Sequence, residues 1–125
     1  MLRDYVAGLT NVINDYSGTN LIVGSQLITD YRTEKIGIVE GRLIFIDHSE
    51  LHFIEYVDVR YRVQKVMYSY HYQRKHGGLI FRYDNAKHRP RLPFENHKHL
   101  DSDEIVQSDA PQFGQVLEEI MDHLL

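Results

Sequence analysis

Residues 62–84 read RVQKVMYSYHYQRKHGGLIFRYD, and this stretch predicts a β-hairpin. Two runs rich in Val, Ile, Phe and Tyr flank the polar, glycine-containing break at residues 75–78, and breaks this short join antiparallel strands. Side chains alternate across a strand. A turn of either two or four residues therefore puts Arg82 and Asp84 on the face of Ser69, His71 and Gln73. The opposite face, which we expect to face the core, collects Tyr68, Tyr70, Tyr72, Leu79, Phe81 and Tyr83.

Sequence on either side of the hairpin extends the same sheet. Short β-rich runs cover residues 21–30, 35–39, 42–47 and 51–59, separated by breaks such as Glu40-Gly41, and residues 104–107 resemble one further brief strand. Apolar residues at helical spacing mark residues 3–16 and 113–124. The sequence predicts one α+β domain over residues 1–125: a single curved antiparallel sheet of five or six strands, with an N-terminal and a C-terminal helix.

Composition narrows the class of protein. The chain has 125 residues, 42% of them apolar, which suits an ordinary folded domain. It contains no cysteine, so disulfide frameworks and thiolate zinc sites are excluded. The first residues lack the pattern of a signal peptide and no apolar run reaches membrane-spanning length, so we expect a cytoplasmic protein without a membrane partner.

Charge is unevenly distributed along the chain. Residues 60–99 carry ten Lys or Arg against two Asp or Glu, whereas residues 100–125 carry seven acidic residues and no Lys or Arg. A basic segment of this kind suggests an anionic partner such as RNA. The acidic residues 112–125 could also neutralise it, within one chain or across a homodimer.

Residues 82–99, RYDNAKHRPRLPFENHKH, hold the densest chemistry in the chain. They contain three histidines, five Lys or Arg and two carboxylates. Imidazoles exchange protons near neutral pH, and guanidinium groups bind phosphate. We therefore expect residues 84–100 to form a histidine-rich functional loop that folds over the polar face of the hairpin.

Candidate site residues follow from this placement. The predicted acid, base and charge-stabilising groups are His71, Arg82, His88, His97 and His99, together with Glu55, whose carboxylate interrupts an apolar strand. The predicted substrate contacts are Tyr83, Asp84, Asn85, Lys87, Arg89 and Lys98.

The same residues resemble a known family. The run Arg82-Tyr83-Asp84-Asn85-Ala86, followed by His88, Pro90, Phe94 and His97-Lys98-His99, is similar to the signature of the TumE-type family of small prokaryotic proteins. The upstream Tyr68-Ser69-Tyr70-His71-Tyr72 and the acidic C-terminal helix add to the resemblance. It implies the toxin component of a toxin–antitoxin pair, a helix-turn-helix antitoxin as partner, and RNA cleavage.

This chain departs from the family pattern at three positions. Members tend to have paired histidines where it has His88-Arg89 and Asn96-His97, and proline where it has Glu95. Half of each histidine pair is therefore missing, and His88, His97 and His99 are the ones that remain.

Three functions are compatible with these residues. The first is a metal-independent ribonuclease that uses loop histidines as acid and base and needs no cofactor. The second is a non-catalytic module that binds nucleic acid or protein. The third is a metal site in which the rings of His97 and His99, two residues apart in an extended segment, point to one side, with His88 and Asp84 completing the ligand set.

Overall fold

The computed structural model describes residues 1–125 as two helices and seven strands. In chain order these are α1 (Leu2–Ser17), β1 (Ile22–Tyr31), β2 (Ile36–Phe45), β3 (Glu50–Asp58), β4 (Gln64–Gln73), β5 (Leu79–Asp84), β6 (His97–Leu100), β7 (Ile105–Gln107) and α2 (Phe113–Leu124). The predicted α+β class and both terminal helices are confirmed. Neither helix has the combination of length and apolar character that crossing a bilayer requires.

The sheet has seven strands, not the five or six that the sequence predicts. All neighbours are antiparallel and follow chain order from β1 to β7, in an open sheet. The sequence predicts two strands over residues 35–39 and 42–47, but the chain forms the single strand β2 there, in which Gly41 pairs with Leu27 and Phe53. Residues 97–100, expected as loop, form β6 against β5.

Gly41 keeps its place inside a strand because an aromatic ring takes the space of a side chain. A Cβ added there would lie 2.2 Å from Cε1 of Phe53, which is buried. The glycine that looked like a turn signal is therefore a packing residue.

Both helices cover one face of the sheet, which forms the core. Apolar residues of α1 and α2 join one cluster with inward-facing side chains of β1 to β5. Tyr70 and Tyr72 are completely buried and Tyr68 is nearly so, as the hairpin pattern predicts. A register irregularity between Tyr72 and Gln73 pairs Gln73 with Leu79, so that Ile80, not Leu79, joins Phe81 against the core.

A buried carboxylate joins α1 to the sheet. Glu55 is completely buried on the helix-covered face, and its two oxygens accept hydrogen bonds from the hydroxyls of Tyr5 and Tyr70. Burial, with the charge of Glu55 beside them, raises the pKa of both phenols, so each hydroxyl keeps its proton and donates. This contact satisfies a group whose burial would otherwise be costly.

Polar contacts also hold α2 against the last strands. Glu119 accepts hydrogen bonds from Lys98 Nζ at 2.8 Å and from the Tyr83 hydroxyl at 2.5 Å. Lys98 and Tyr83 therefore project toward α2, on the face that the helices cover.

We predict that Gly41→Ala lowers the free energy of unfolding by about 1–3 kcal/mol, because the added methyl group overpacks the Phe53 ring. Gly8→Ala is the matched control. Gly8 lies exposed in α1 with no atom near an added Cβ, so alanine there should stabilise the protein by up to about 1 kcal/mol. Urea denaturation of the two variants checks both signs, and equal effects would contradict this packing.

We predict that Glu55→Gln destabilises the protein by about 1–3 kcal/mol, since an amide oxygen cannot replace both charge-assisted acceptor positions. Glu104→Gln, at an exposed carboxylate, should change stability by less than about 0.5 kcal/mol. Thermal unfolding followed by circular dichroism compares the pair, and an unchanged midpoint for Glu55→Gln would contradict the role of this network.

Candidate functional site

Three adjacent strands place polar side chains on the face that carries no helix. His71 of β4 pairs with Arg82 of β5, and Arg82 pairs in turn with His99 of β6. One step along, Ser69 pairs with Asp84, and Asp84 pairs with His97. Residues directly opposite each other in a sheet share a face, so the predicted alignment of His71, Arg82 and Asp84 is confirmed, and β6 adds two imidazoles to it.

Asp84 lies at the centre of this arrangement and is buried. Its Oδ2 accepts a hydrogen bond from Arg82 Nε at 2.8 Å, and its Oδ1 accepts one from the Ala86 N–H at 2.9 Å. His97 Nε2 lies 2.7 Å from Oδ1. Burial alone would raise the pKa of Asp84, but these hydrogen bonds and the charges of His97 and Arg82 hold it below the ordinary carboxyl value. Asp84 is therefore an anion.

His97 is completely buried and fixed through both ring nitrogens. Its Nδ1 lies 2.9 Å from the carbonyl oxygen of Glu95, and its Nε2 lies 2.9 Å from His88 Nε2. The segment between β5 and β6 thus carries His88 back onto β6. The predicted return of residues 84–100 over the polar face occurs through this contact between His88 and His97. Residues 97–100 of the segment are not loop but pair beside β5 as strand β6.

His99 presents a ring nitrogen without a partner. Its Nε2 is buried and lies 3.3 Å from Asp84 Oδ2, without the alignment of a hydrogen bond. Burial lowers the pKa of His99. The nearby Asp84 charge opposes that shift, while His97, His88 and Arg82 reinforce it. His99 is therefore a neutral imidazole near pH 7, with a lone pair available on one nitrogen.

We call Asp84, His88, His97 and His99 the imidazole–carboxylate cluster. One ligand atom from each residue lies within 4.8 Å of the other three. Three imidazole nitrogens and one carboxylate oxygen can transfer protons, and they can also bind a first-row transition metal.

A groove on the open face leads up to this cluster. It has a volume of about 480 Å³, and its lining includes Arg82, which also contacts Asp84, and His71. His71 Nε2 lies 3.1 Å from Gln73 Oε1, and burial together with the Arg82 charge lowers the pKa of His71. The remaining lining comes from β1 to β4: Gln26, Ile28, Glu40, Gly41, Arg42, His52, Phe53, Ile54 and Ser69. None of the four cluster residues lines the groove, so a ligand lying in it would meet the cluster through Arg82.

The other predicted site residues lie away from the cluster. Glu55, Tyr83 and Lys98 lie on the helix-covered face. Asn85 joins the start of β4 to the end of β5, because its side chain bonds the Tyr68 N–H and the Val66 carbonyl. Lys87 and Arg89 are exposed on the segment between β5 and β6.

Sequence reasoning missed Arg42 and His52, which line the groove. His52 pairs with both Arg42 and His71, and Glu50 contacts Arg42 at 2.6 Å and His52 at 2.9 Å. The alternation in Leu51-His52-Phe53 indicates that His52 faces outward. Its register against His71 could not be counted from the sequence, because the pairing of β3 with β4 shifts between Tyr56 and Val57.

The chain matches a known protein family. A family model described as toxin TumE matches residues 10–124, nearly the whole chain and all of the cluster. Neither the curated proteins nor the solved structures contain a match. The chain therefore belongs to the TumE toxin family.

Proposed function

We propose that this toxin cleaves RNA at the imidazole–carboxylate cluster, with the substrate in the adjoining groove. Membership of the family makes the chain the toxin component of a toxin–antitoxin system. The convergence of three imidazoles and an anionic carboxylate beside Arg82 is the observation that carries the proposal. RNA supplies both the phosphate that Arg82 could bind and the 2′-hydroxyl that a base could deprotonate.

Cleavage needs a base for the 2′-hydroxyl, an acid for the departing 5′-oxygen and positive charge beside the phosphate. In the metal-independent version predicted from the sequence, His99 is the base, because it is neutral and its Nε2 makes no hydrogen bond. That nitrogen is buried but the side chain is 21% exposed, so a turn of the ring must present it to the 2′-hydroxyl. His88, on the half-buried segment, is the acid. Arg82 stabilises the phosphorane, and buried His97 positions His88 through their 2.9 Å contact.

A metal-assisted version of the same reaction is favoured by the close approach of the four ligand atoms. In that version His88, His97, His99 and Asp84 would hold the metal, which would supply the base in place of His99. Arg82 and His71 keep their places in the groove in both versions. A chelator distinguishes the two versions, because it should inhibit cleavage only in the metal-assisted one.

The partner proposals follow from family and charge. The family implies a cognate antitoxin, and we propose that it is of the helix-turn-helix type and presents acidic residues to the exposed cations Lys87, Arg89 and Arg91. The alternative of a non-catalytic RNA-binding module predicts binding without product. For the toxin without its antitoxin, we propose a homodimer. In it the acidic α2 of one chain contacts the basic segment of the other.

We predict that His88→Ala lowers the rate of RNA cleavage by about 100-fold, the usual scale for losing an acid–base group. His76→Ala is the matched control, because His76 is exposed in the β4–β5 turn and should leave the rate unchanged. Single-turnover cleavage of a labelled RNA, with and without EDTA, measures both variants against the wild type.

The possible outcomes distinguish catalysis at the cluster, RNA binding alone and the metal-assisted version. Equal rates for wild type and His88→Ala would refute catalysis at this cluster. RNA that binds with a strong salt dependence and is never cut would support the binding module instead. Loss of cleavage in EDTA, restored by a divalent metal, would select the metal-assisted version.

A further inference from the structure

We propose that the imidazole–carboxylate cluster binds one transition-metal dication, with zinc as its natural occupant. The inference concerns metal binding alone and does not require that RNA is the substrate. Its ligands are His88, His97 and His99 through Nε2, and Asp84 through a carboxylate oxygen.

The hydrogen bonding of His97 leaves its Nε2 facing two other potential ligand atoms at once. Its Nδ1 lies 2.9 Å from the Glu95 carbonyl oxygen, which can only accept, so Nδ1 carries a proton and donates it. The Nε2 atom then lies 2.7 Å from Asp84 Oδ1 and 2.9 Å from His88 Nε2. A single proton on Nε2 can serve one of these neighbours well, whereas a metal ion accepts a lone pair from all of them.

His99 supplies independent support. Its Nε2 is buried, has no hydrogen-bond partner and lies within the same 4.8 Å set of atoms. A buried polar nitrogen left unpaired is costly. Coordination to a metal would satisfy it without moving β6.

Orientation of the ligands also fits a metal centre. Metal-bound histidines generally donate their second ring N–H to a carbonyl or carboxylate, and bound carboxylates are themselves hydrogen-bonded. His97 has the Glu95 carbonyl in that role, and Asp84 has Arg82 and the Ala86 N–H. The supporting contacts therefore exist before any metal arrives.

The donor set selects the metal. Imidazole nitrogens with one carboxylate suit Zn²⁺ and its first-row neighbours, and they do not suit Mg²⁺ or Ca²⁺, which prefer oxygen ligands. Four ligands match the tetrahedral preference of Zn²⁺. An opening exists because the His99 side chain is 21% exposed and His88 is half-buried.

Most Lys and Arg side chains that lie near the ligands in sequence do not face the site. Lys98, although it lies between two of the ligands in sequence, bonds Glu119 on the other face of the sheet. Lys87 and Arg89 are exposed to solvent. Arg82 is the one cation that contacts the cluster, and Asp84 already pairs with it.

The test measures metal on protein prepared without a histidine tag. We expect elemental analysis to find about one equivalent of zinc per chain. Protein stripped with a chelator should rebind Zn²⁺, and Co²⁺ should give visible absorption bands of a four-coordinate site. Less than a tenth of an equivalent in the purified protein, with no Zn²⁺ or Co²⁺ binding to the stripped protein, would overturn the proposal.

Variants locate the ion. His88→Ala and His99→Gln should each weaken Zn²⁺ binding by at least about tenfold, since even residues that only orient metal ligands contribute about 10- to 100-fold. His76→Ala should bind as the wild type does. Undiminished binding by well-folded His88→Ala and His99→Gln would place the metal elsewhere and overturn the assignment.

A measurement on the wild type covers variants that fail to fold. Paramagnetic Co²⁺ should shift the ring proton resonances of His88, His97 and His99 strongly and leave those of His76 in place. Metal bound without RNA cleavage would refute the proposed function and keep this site. Cleavage that resists a chelator, by protein that holds no metal, would refute this metal site and keep the proposed function.

Discussion

The buried carboxylate of Asp84 is the group on which the open face depends. Removing an anion from water is expensive unless charge and hydrogen bonds replace the solvent. Asp84 obtains them from Arg82 on its own strand, from the Ala86 N–H just beyond it, and from His97 on β6. These partners define where β5 ends, how the following segment turns and where β6 pairs. The same contacts that stabilise Asp84 bring the imidazoles together.

The two faces of the sheet have different roles: one stabilises the fold, and the other carries the candidate site. The helix-covered face holds the aromatic core and the polar contacts of Glu55, Lys98 and Glu119. The opposite face holds the groove and the cluster. Strand alternation makes this division possible within a few residues, since Lys98 lies between His97 and His99 yet points the other way.

Much of this division could be read from the sequence where connections are short. The β4–β5 turn constrains register, so the common face of His71, Arg82 and Asp84 followed from counting residues. The sequence wrongly predicts a strand break at Gly41, because a glycine that leaves room for an aromatic ring cannot be told from a glycine in a turn. Tyr83 and Lys98 alternate with site residues, so recognising residues 97–100 as a strand would have excluded both from the cluster. His88 could not be placed, because an irregular segment carries no periodicity from which to infer its return to His97.

A crystal structure of the untagged protein, with diffraction data collected at the zinc absorption edge, would show directly whether Asp84 and the three imidazoles enclose a metal ion. We expect one anomalous peak within bonding distance of Asp84 and the three Nε2 atoms, with Arg82 still bound to the far carboxylate oxygen. Imidazole rings of His88 and His99 turned away from Asp84, with no ordered atom between them, would contradict it.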